Sequence, residues 1–573
     1  MPALAIPARP RCRWLIPDPP SCDVVAALCA ALSLPEVVCR LLATRGHAAG
    51  ELAKRYLRPR LDHIELAGLM DLDVAVERLR LAAKQGETVL VHGDYDVDGM
   101  ASTAIIVRTL EAVGAKPIPF IPKRATDGYD LTSAGVSAAK AVNATVVVTC
   151  DCGTSAITAV AELRAAGIDV IIVDHHLPTG DIASPNALLN PKRAGCPSTD
   201  KDLCAAGVAF KLALAVMRAT GGNENLVFGM LDLVALATIA DIAPLRGENR
   251  VLARYGLKLM NETPSIGLAA LIRSAGLQGK PITAGRVGFV IAPRLNAVGR
   301  LAHALRGVEL LLCRDEHVAN SIARDFEELN VQRQEIDRQT VVRAREMVLA
   351  MDLDATFGIV LAEEGWHPGV IGIVASRMVE EFGRPAVLIA LDGAEGKGSG
   401  RSISPFDLHA GLSECRELLL RFGGHRSAAG VTIAADRVVE FAARFNAVAA
   451  SRLTVDDLMP ELRVDLEMPL SAANEQLEAV FRHIEPCGMG NPAPVLMTRG
   501  VTLTGSPRAI GKGGLKVVFT QGSDAITAIG WGMEPRRAEL TEGATYDVAF
   551  KLERDEYRGV SRLQARLIDF RAA

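Results

Sequence analysis

Aromatic residues are scarce in this chain of 573 residues, where 3 Trp, 6 Tyr and 15 Phe amount to 4%. Any sizeable core must be packed by Leu, Val, Ile and Ala, and a hydrophobic content of 49% is ample for that and excludes a disordered chain. Paired cysteines are missing as well. The 11 Cys are scattered without a Cys-x-x-Cys pair, which suits reduced thiols better than a disulfide framework, and the spacing of Cys150 and Cys152 around an Asp is not a usual zinc pattern. Charge of one sign is lacking too: a net charge of -4 points to no nucleic-acid partner, so a basic surface would have to be local. Long apolar runs free of charge are absent. The most apolar stretch, Val227–Leu245, contains Asp232 and Asp241 and reads as buried in protein rather than lipid. Met1–Ser33 carries Arg9, Arg11, Arg13, Asp18 and several Pro with no uninterrupted apolar core, so no signal peptide is expected. A soluble, cytoplasmic protein of three or four domains, at about 150 residues each, is the expectation.

What is present centres on His92-Gly-Asp94-Tyr-Asp96-Val-Asp98-Gly99. Thr88–Val91 before it reads as a buried parallel strand, and Met100–Val113 after it has helical length. Three carboxylates and an imidazole thus sit where a strand hands over to a helix, the end of an open α/β sheet at which ligands bind. The bland reading is a capped turn, since Asp and Gly are ordinary turn residues and an Asp before a helix is commonly its N-cap. The pattern repeats, however. Ala144–Thr149 is a strong strand that leads to Asp151 and Gly153, and Asp169–Val173 is another that leads to Asp174-His175-His176. Pro117–Ile121 is a further candidate strand. Strands alternating with helices predict a doubly wound parallel sheet.

Asp241 ends the apolar segment that begins at Leu231, where an acid opposes the helix dipole and is easier to understand with a cation before it. Oxygen-rich ligands with few imidazoles and no thiolate suit Mn²⁺ or Mg²⁺. Five carboxylates and two or three histidines exceed the needs of one ion. Two ions about 3.5–4 Å apart, sharing a carboxylate, would neutralise them and form a phosphoryl-transfer centre.

In these residues the chain resembles the DHH phosphoesterase superfamily, named for the triplet found here as Asp174-His175-His176. Its first motif, His-x-x-x-Asp-x-Asp, matches His92, Asp96 and Asp98; its second-motif Asp matches Asp151 and its fourth-motif Asp matches Asp241. The resemblance implies that His92, Asp96, Asp98, Asp151, His175 and Asp241 ligate metal, with Asp151 as the bridge. It implies further that His176 stands beside the scissile phosphate or behind the ligands, and that Asp174, itself a candidate ligand, orients a histidine. Asp94 fits the local pattern, and joins the candidate metal ligands, but lies outside the superfamily's minimal motif. Asp96, Asp98, Asp151, His175, His176 and Asp241 are the candidate catalytic residues.

Beyond this region Pro293-Arg294-Leu-Asn296-Ala-Val-Gly299-Arg300 reads either as a basic surface turn or as a phosphate clamp, since guanidinium forks bind phosphate oxygens bidentately. Cys313–Ala350 reads as a long charged helix with a stripe of Val318, Ile322, Phe326, Leu329 and Ile336, a spacer between two lobes. Phe357–Ala434 again looks α/β. Its Gly-rich elements, read as turns, contain Ser399, Arg401, Ser402 and His425 and resemble the DHH-associated domain, whose elements hold substrate against the metal centre. Arg124 is a further phosphate-contact candidate by resemblance. Just after it, Asp127-Gly-Tyr129-Asp130 replaces the family's usual Glu-Gly-Tyr-Gly.

From about Asp456 short β-prone stretches with Gly-rich turns suggest an OB-like barrel. Residues 493–573 hold 12 Lys and Arg against 9 Asp and Glu, too small an excess to argue for nucleic acid by itself. The expected division is an N-terminal helical region (1–80), a DHH parallel-sheet domain (81–305), a connecting helix (306–352), an α/β DHH-associated domain (353–455) and an OB-like barrel (456–573), the last separable from the metal motifs.

This combination resembles the single-stranded-DNA-specific exonucleases of the superfamily. It implies 5′-to-3′ digestion of single-stranded DNA to 5′-mononucleotides in recombination and repair, with two Mn²⁺ or Mg²⁺ ions. Single-stranded DNA is then the partner, a single-strand binding protein and a helicase the collaborators, and a monomer without membrane association the expected state. A short-oligoribonucleotide phosphodiesterase would share the metal motifs. A metal-free replication scaffold would have eroded ligands, and here every motif acid and histidine is present.

Overall fold

The computed structural model describes residues 11–123, 127–128, 130–178, 180–511, 513–557 and 560–573. Two compact units divide the chain: one runs from Arg58 to Arg333 and includes Glu485–Pro492, the other holds the segment up to Leu57, Gln334–Ile484 and Ala493–Ala573.

The first unit is built on a five-stranded sheet of β1 (Thr88–Gly93), β2 (Lys116–Phe120), β3 (Val146–Cys150), β4 (Asp169–Val173) and β5 (Ala187–Leu189), in the order β2-β1-β3-β4-β5. Every neighbouring pair is parallel. The apolar runs follow from burial on both faces. Val89, Val91, Val146 and Val148 enter one core, while Leu90, Val147, Val170 and Ile172 enter a second. The expected parallel sheet is thus the observed one, with the three-residue β5 added. Four helices carry the rest of the argument: α1 (Val97–Val113), α2 (Ala205–Thr220), α3 (Leu231–Ala240) and α4 (Ala292–Leu301).

Pro293–Arg300 is not a turn but most of α4, with its Pro in the first turn of the helix. Proline belongs there, because its missing N–H is one the helix would leave unpaired anyway.

The long helix α5 (Glu316–Leu349) continues from one unit into the other. Its stripe serves two cores in turn. Ile322, Phe326 and the partly buried Leu329 pack in the first unit, whereas Val341, Ala344, Val348 and the partly buried Ile336 pack in the second. Val318, expected in the stripe, is 51% exposed.

In the second unit a five-stranded sheet is formed by β6 (Ile359–Glu364), β7 (Ala386–Asp392), β8 (Glu395–Arg401), β9 (Arg421–Gly424) and β10 (Ala428–Ala434), with helix α6 (Ile371–Phe382) packed on it. The Gly-rich elements read as turns are here strands: Gly398–Arg401 lies in β8 and Gly423–Gly424 in β9. The C-terminal barrel comprises β11 (Leu496–Ile510), β12 (Gly514–Gln521), β13 (Asp524–Trp531), β14 (Thr545–Tyr557) and β15 (Val560–Ala572). It runs β11-β12-β13-β15-β14 and closes through β11–β14 pairing, as expected of an OB-like fold.

The expected N-terminal region of 1–80 divides at Leu57. Its first part begins with a strand, Arg13–Leu15, paired in parallel with Glu461–Arg463. Its second part leads into the helix Leu72–Gln85, which packs on α2. Nor is everything after Asp456 separable from the metal motifs, because Glu485–Pro492 belongs to the first unit. Among the described residues no single helix is long and apolar enough to cross a membrane.

Candidate metal centre

The carboxyl ends of β1, β3 and β4 bring the motif residues together. Asp94, Asp96 and Asp151 place ligand atoms within 4.8 Å of one another, as do Asp98, His175 and Asp241, and Asp151, His175 and His176. Asp151 is common to the first and third of these groups, and His175 to the second and third. His175 Nε2 lies 3.1 Å from Asp151 Oδ1, 3.7 Å from Asp241 Oδ2 and 3.8 Å from Asp98 Oδ2. Yet His175 Nε2 and Asp151 Oδ1 are buried without a hydrogen bond. Buried polar atoms are ordinarily paired, so orphans of this kind, all aimed at one another, fit a cation.

Local structure explains the convergence. Asp96 is the N-cap of α1, its Oδ1 accepting the N–H groups of Asp98 at 2.9 Å and Gly99 at 3.1 Å. The capped-turn reading is therefore true as well, and compatible with a ligand role for the other oxygen. Gly99 must be glycine, since a Cβ there would stand 2.4 Å from Asp94 O. Asp98 accepts the N–H groups of Ala205 at 2.7 Å and Ala206 at 2.8 Å, at the start of α2. Asp151 sits at φ 68, left-handed backbone unusual for Asp and of the kind stored at functional sites. Asp130 stands at φ 75 where the family commonly has Gly, and its Oδ1 accepts from Gly153 N–H at 2.7 Å and Leu131 N–H at 2.8 Å. An Asp tolerates that conformation and here ties down the Asp151 loop.

Two expected ligands lie outside the three groups. Asp174 is spent on hydrogen bonds: Oδ1 accepts from His175 N–H at 2.7 Å and lies 2.8 Å from His176 Nδ1, while Oδ2 accepts from Thr154 N–H at 3.1 Å. It orients His176, and it is in none of the three ligand groups. His92 is likewise outside those groups, although its Nε2, like that of His175, is buried without a hydrogen bond. Its Nδ1 lies 3.5 Å from Cys152 Sγ, its ring tilts against Phe120 at 5.3 Å, and a Cβ on Gly135 would stand 2.9 Å from Nε2. Asp94, outside the minimal motif, is the residue that the structure groups with Asp96 and Asp151.

The substrate candidates divide similarly. Arg294 forks onto Glu327, Nε at 2.5 Å and Nη2 at 3.0 Å, so its guanidinium is engaged within the unit. Asn296 Oδ1 accepts from Val97 N–H at 3.2 Å, and a Cβ on Gly299 would stand 2.2 Å from Tyr95 O. This face of α4 braces the Asp94–Asp98 loop; Arg300, on the same helix, is half-buried. Arg124 lies outside the described residues. In the second unit Arg401 Nη1 donates to Ser399 Oγ at 3.2 Å and Gly400 O at 2.8 Å, and makes no ion pair among the described residues. Burial pushes its pKa down, with no acid to oppose the shift. A Cβ on Gly372, in the first turn of α6, would stand 2.8 Å from Ser399 Oγ and 3.2 Å from Arg401 Nη2. An unpaired guanidinium, a hydroxyl and a helix N-terminus therefore meet, as anion sites require. Ser402 Oγ is engaged by Phe406 O at 2.8 Å, and His425 is exposed in the loop between β9 and β10.

Sequence reasoning missed Asn190, which is fully buried after β5 and donates from Nδ2 to His176 O at 2.8 Å and Thr154 Oγ1 at 3.0 Å. No sequence signal marks it, because β5, the strand it follows, is only three residues long.

The electrostatics call for positive charge. Burial, then repulsion from Asp96, pushes Asp98 up to about 7. Burial, then Asp98 and Asp96, pushes Asp241 up to about 8, and burial with four neighbouring carboxylates holds Asp151 well above the usual range. His175 is lowered to about 3 by burial and by the charge of His176. His176 is raised to about 9: burial opposes the shift, but the hydrogen bond and charge of Asp174 exceed it. Asp98 and Asp241 bind protons in the folded chain up to about pH 7–8, and Asp151 is raised with them, whereas in the unfolded chain such carboxyls release protons at about 3.9. The metal-free protein should therefore lose stability as pH rises through that interval. Mn²⁺ should displace the retained protons, on the order of one or more per chain at pH 7. Titration calorimetry in buffers of different ionisation enthalpy measures this; a binding heat independent of buffer would contradict it.

Comparison with known proteins gives the same picture. Residues 88–238 match the DHH family N-terminal domain, residues 355–451 the DHHA1 domain and residues 464–569 the RecJ OB domain. The single-stranded-DNA-specific exonuclease RecJ of Bacillus subtilis (strain 168) is 34% identical over 565 residues, 97% of this chain and 70% of the relative. That of Dickeya dadantii (strain 3937) is 34% identical over 93% of this chain and 95% of its own length. The crystal structure of RecJ from Thermus thermophilus in complex with Mn²⁺ matches with a TM-score of 0.84 at 31% identity, over 98% of this chain and 80% of that one. The same protein in complex with Mg²⁺ matches with a TM-score of 0.79 at 30% identity, over 98% of this chain and 79% of that one. With a third of its positions shared along almost the whole of its own length, the chain belongs to the RecJ family of single-stranded-DNA-specific exonucleases.

Proposed function

We propose that this protein digests single-stranded DNA from its 5′ end to 5′-mononucleotides with two Mn²⁺ or Mg²⁺ ions, acting in recombination and repair. The observation that carries the reading is the pair of ligand groups, Asp94–Asp96–Asp151 and Asp98–His175–Asp241, joined where Asp151 Oδ1 meets His175 Nε2. Divalent ions held there would polarise the scissile phosphate and lower the pKa of an attacking water. The chain's own residues supply the remainder. Asp174 fixes the His176 ring and keeps it charged, so that it can donate a hydrogen bond to a phosphate oxygen. Arg401 and Ser399 would receive the 5′ phosphate.

The barrel supports a single-stranded substrate. Arg508 on β11 pairs across to Lys516 on β12, which faces Ile529 on β13, and Trp531 follows two residues on along the same outward face. Arg508, Lys516 and Trp531 are exposed, and a basic face bearing an aromatic ring is what stacks bases while tracking a backbone. The reading extends to a cytoplasmic monomer that works behind a helicase and alongside a single-strand binding protein.

Single strands labelled at one end or the other, incubated with Mn²⁺, test the proposal. The 5′ label should leave first, as a mononucleotide. Initial release of the 3′ label, or preference for short RNA over long single-stranded DNA, would refute it.

A further inference from the structure

The backbone that follows Asp241 is held by chain from far along the sequence. Asp241 closes α3, and the next residue, Ile242, stands at φ 57, a left-handed conformation that β-branched residues rarely adopt. Ile242 is 62% exposed, so burial of its own side chain does little to keep it there. The chain beyond it meets Glu485–Pro492. Leu245 N–H donates to Met489 O at 2.7 Å, Arg246 Nε donates to Gly490 O at 3.0 Å, and Arg250 Nη2 donates to Glu485 O at 3.2 Å. The fit is close: a Cβ on Gly488 would stand 2.8 Å from Leu245 Cδ1, and one on Gly490 would stand 2.8 Å from Arg246 Nε and 3.0 Å from Pro244 Cβ. Gly490 also sits at φ 70. Within the segment, buried Asn491 donates from Nδ2 to Pro486 O at 2.8 Å and exchanges backbone hydrogen bonds with Gly488.

We propose that Glu485–Pro492 is a positioning strap for Asp241. By pinning the backbone from Leu245 to Arg250 it keeps the strained Ile242 turn in place, and that turn aims the Asp241 carboxylate at His175 and Asp98. The strap is a short excursion: the residues on either side of it belong to the other unit, and the barrel begins directly after it. The metal centre therefore depends on chain that a cut at about Asp456 would remove, whereas a cut after Pro492 would spare it. The inference rests on the reading of Asp241 as a metal ligand.

Full-length G490A, R246L and D241N, with the double variant I242G/G490A, test it by Mn²⁺ calorimetry and steady-state cleavage of a short oligonucleotide. G490A should bind Mn²⁺ about tenfold more weakly and lose kcat by about tenfold or more, with KM nearly unchanged, the range seen when groups that orient metal ligands are altered. R246L removes one strap hydrogen bond without touching the backbone, and should shift both quantities the same way by a smaller factor. It carries the test if G490A does not fold. Glycine takes a positive φ without strain, so I242G in the G490A background should recover part of the lost affinity; absence of recovery overturns the route through Ile242. Wild-type Mn²⁺ affinity and kcat in both R246L and folded G490A overturn the strap while a D241N defect leaves the ligand reading standing. Wild-type Mn²⁺ binding by D241N would instead remove the ligand reading itself.

Discussion

Asp151→Ala is expected to reduce kcat on single-stranded DNA by about 10³-fold or more, the several kcal/mol that metal-ion charge stabilisation contributes to phosphoryl transfer. Asp151 belongs to the ligand group of Asp94 and Asp96, and its Oδ1 lies 3.1 Å from His175 Nε2 of the group with Asp98 and Asp241, so its loss should disturb both metal positions. The fold should hardly suffer. Without cations this carboxylate is buried and repelled by Asp98, Asp96, Asp94 and Asp241, so removing it relieves repulsion. Alanine at φ 68 opposes that gain with backbone strain, and Asp151→Asn, which keeps the side chain's shape, separates the two effects. Both variants should melt near the wild-type temperature when metal-free and gain less from Mn²⁺. Cleavage at the wild-type rate would remove the bridge from the mechanism.

Arg401→Ala should act on a different step. Hydrogen bonds to a charged partner contribute about 1.5–3 kcal/mol each, so loss of the guanidinium should raise KM for 5′-phosphorylated strands by about 10- to 100-fold. Mn²⁺ binding should be unchanged, because Arg401 belongs to the unit that does not hold the metal groups. Strands without a 5′ phosphate should show a much smaller difference between wild type and variant. Arg401→Lys should recover little, since a point charge cannot reproduce the fork. Loss of Mn²⁺ affinity in Arg401→Ala would show that the residue serves the metal-bearing fold and that the 5′-end pocket lies elsewhere.

Much of the centre could be read from sequence because the same physics fixed both. Strands buried on two faces must be apolar throughout, so Thr88–Val91, Ala144–Thr149 and Asp169–Val173 stood out, and the acids after them marked the ligand-binding edge of the sheet. Legibility failed where structure depended on partners distant in sequence. β5 has three residues, too few for a pattern, and β15 alternates apolar side chains with so many charges that it reads as surface. Pro293 and Gly299 look like turn punctuation until one sees the Pro in a first helical turn and the Gly against Tyr95. Motif matching favoured His92 over Asp94, and no spacing pattern records that Asp94 groups with Asp96 and Asp151 while His92 packs against Cys152 and Gly135. The Glu485–Pro492 segment looked like a connector, because its hydrogen bonds run to residues some 240 positions earlier.

The dinuclear centre is tested most directly by anomalous scattering from a crystal of the protein soaked in Mn²⁺. Two peaks about 3.5–4 Å apart should appear, both touching Asp151, one shared with Asp94 and Asp96 and the other with Asp98, His175 and Asp241. A single peak, or two peaks with no shared Asp151 oxygen, would contradict the account.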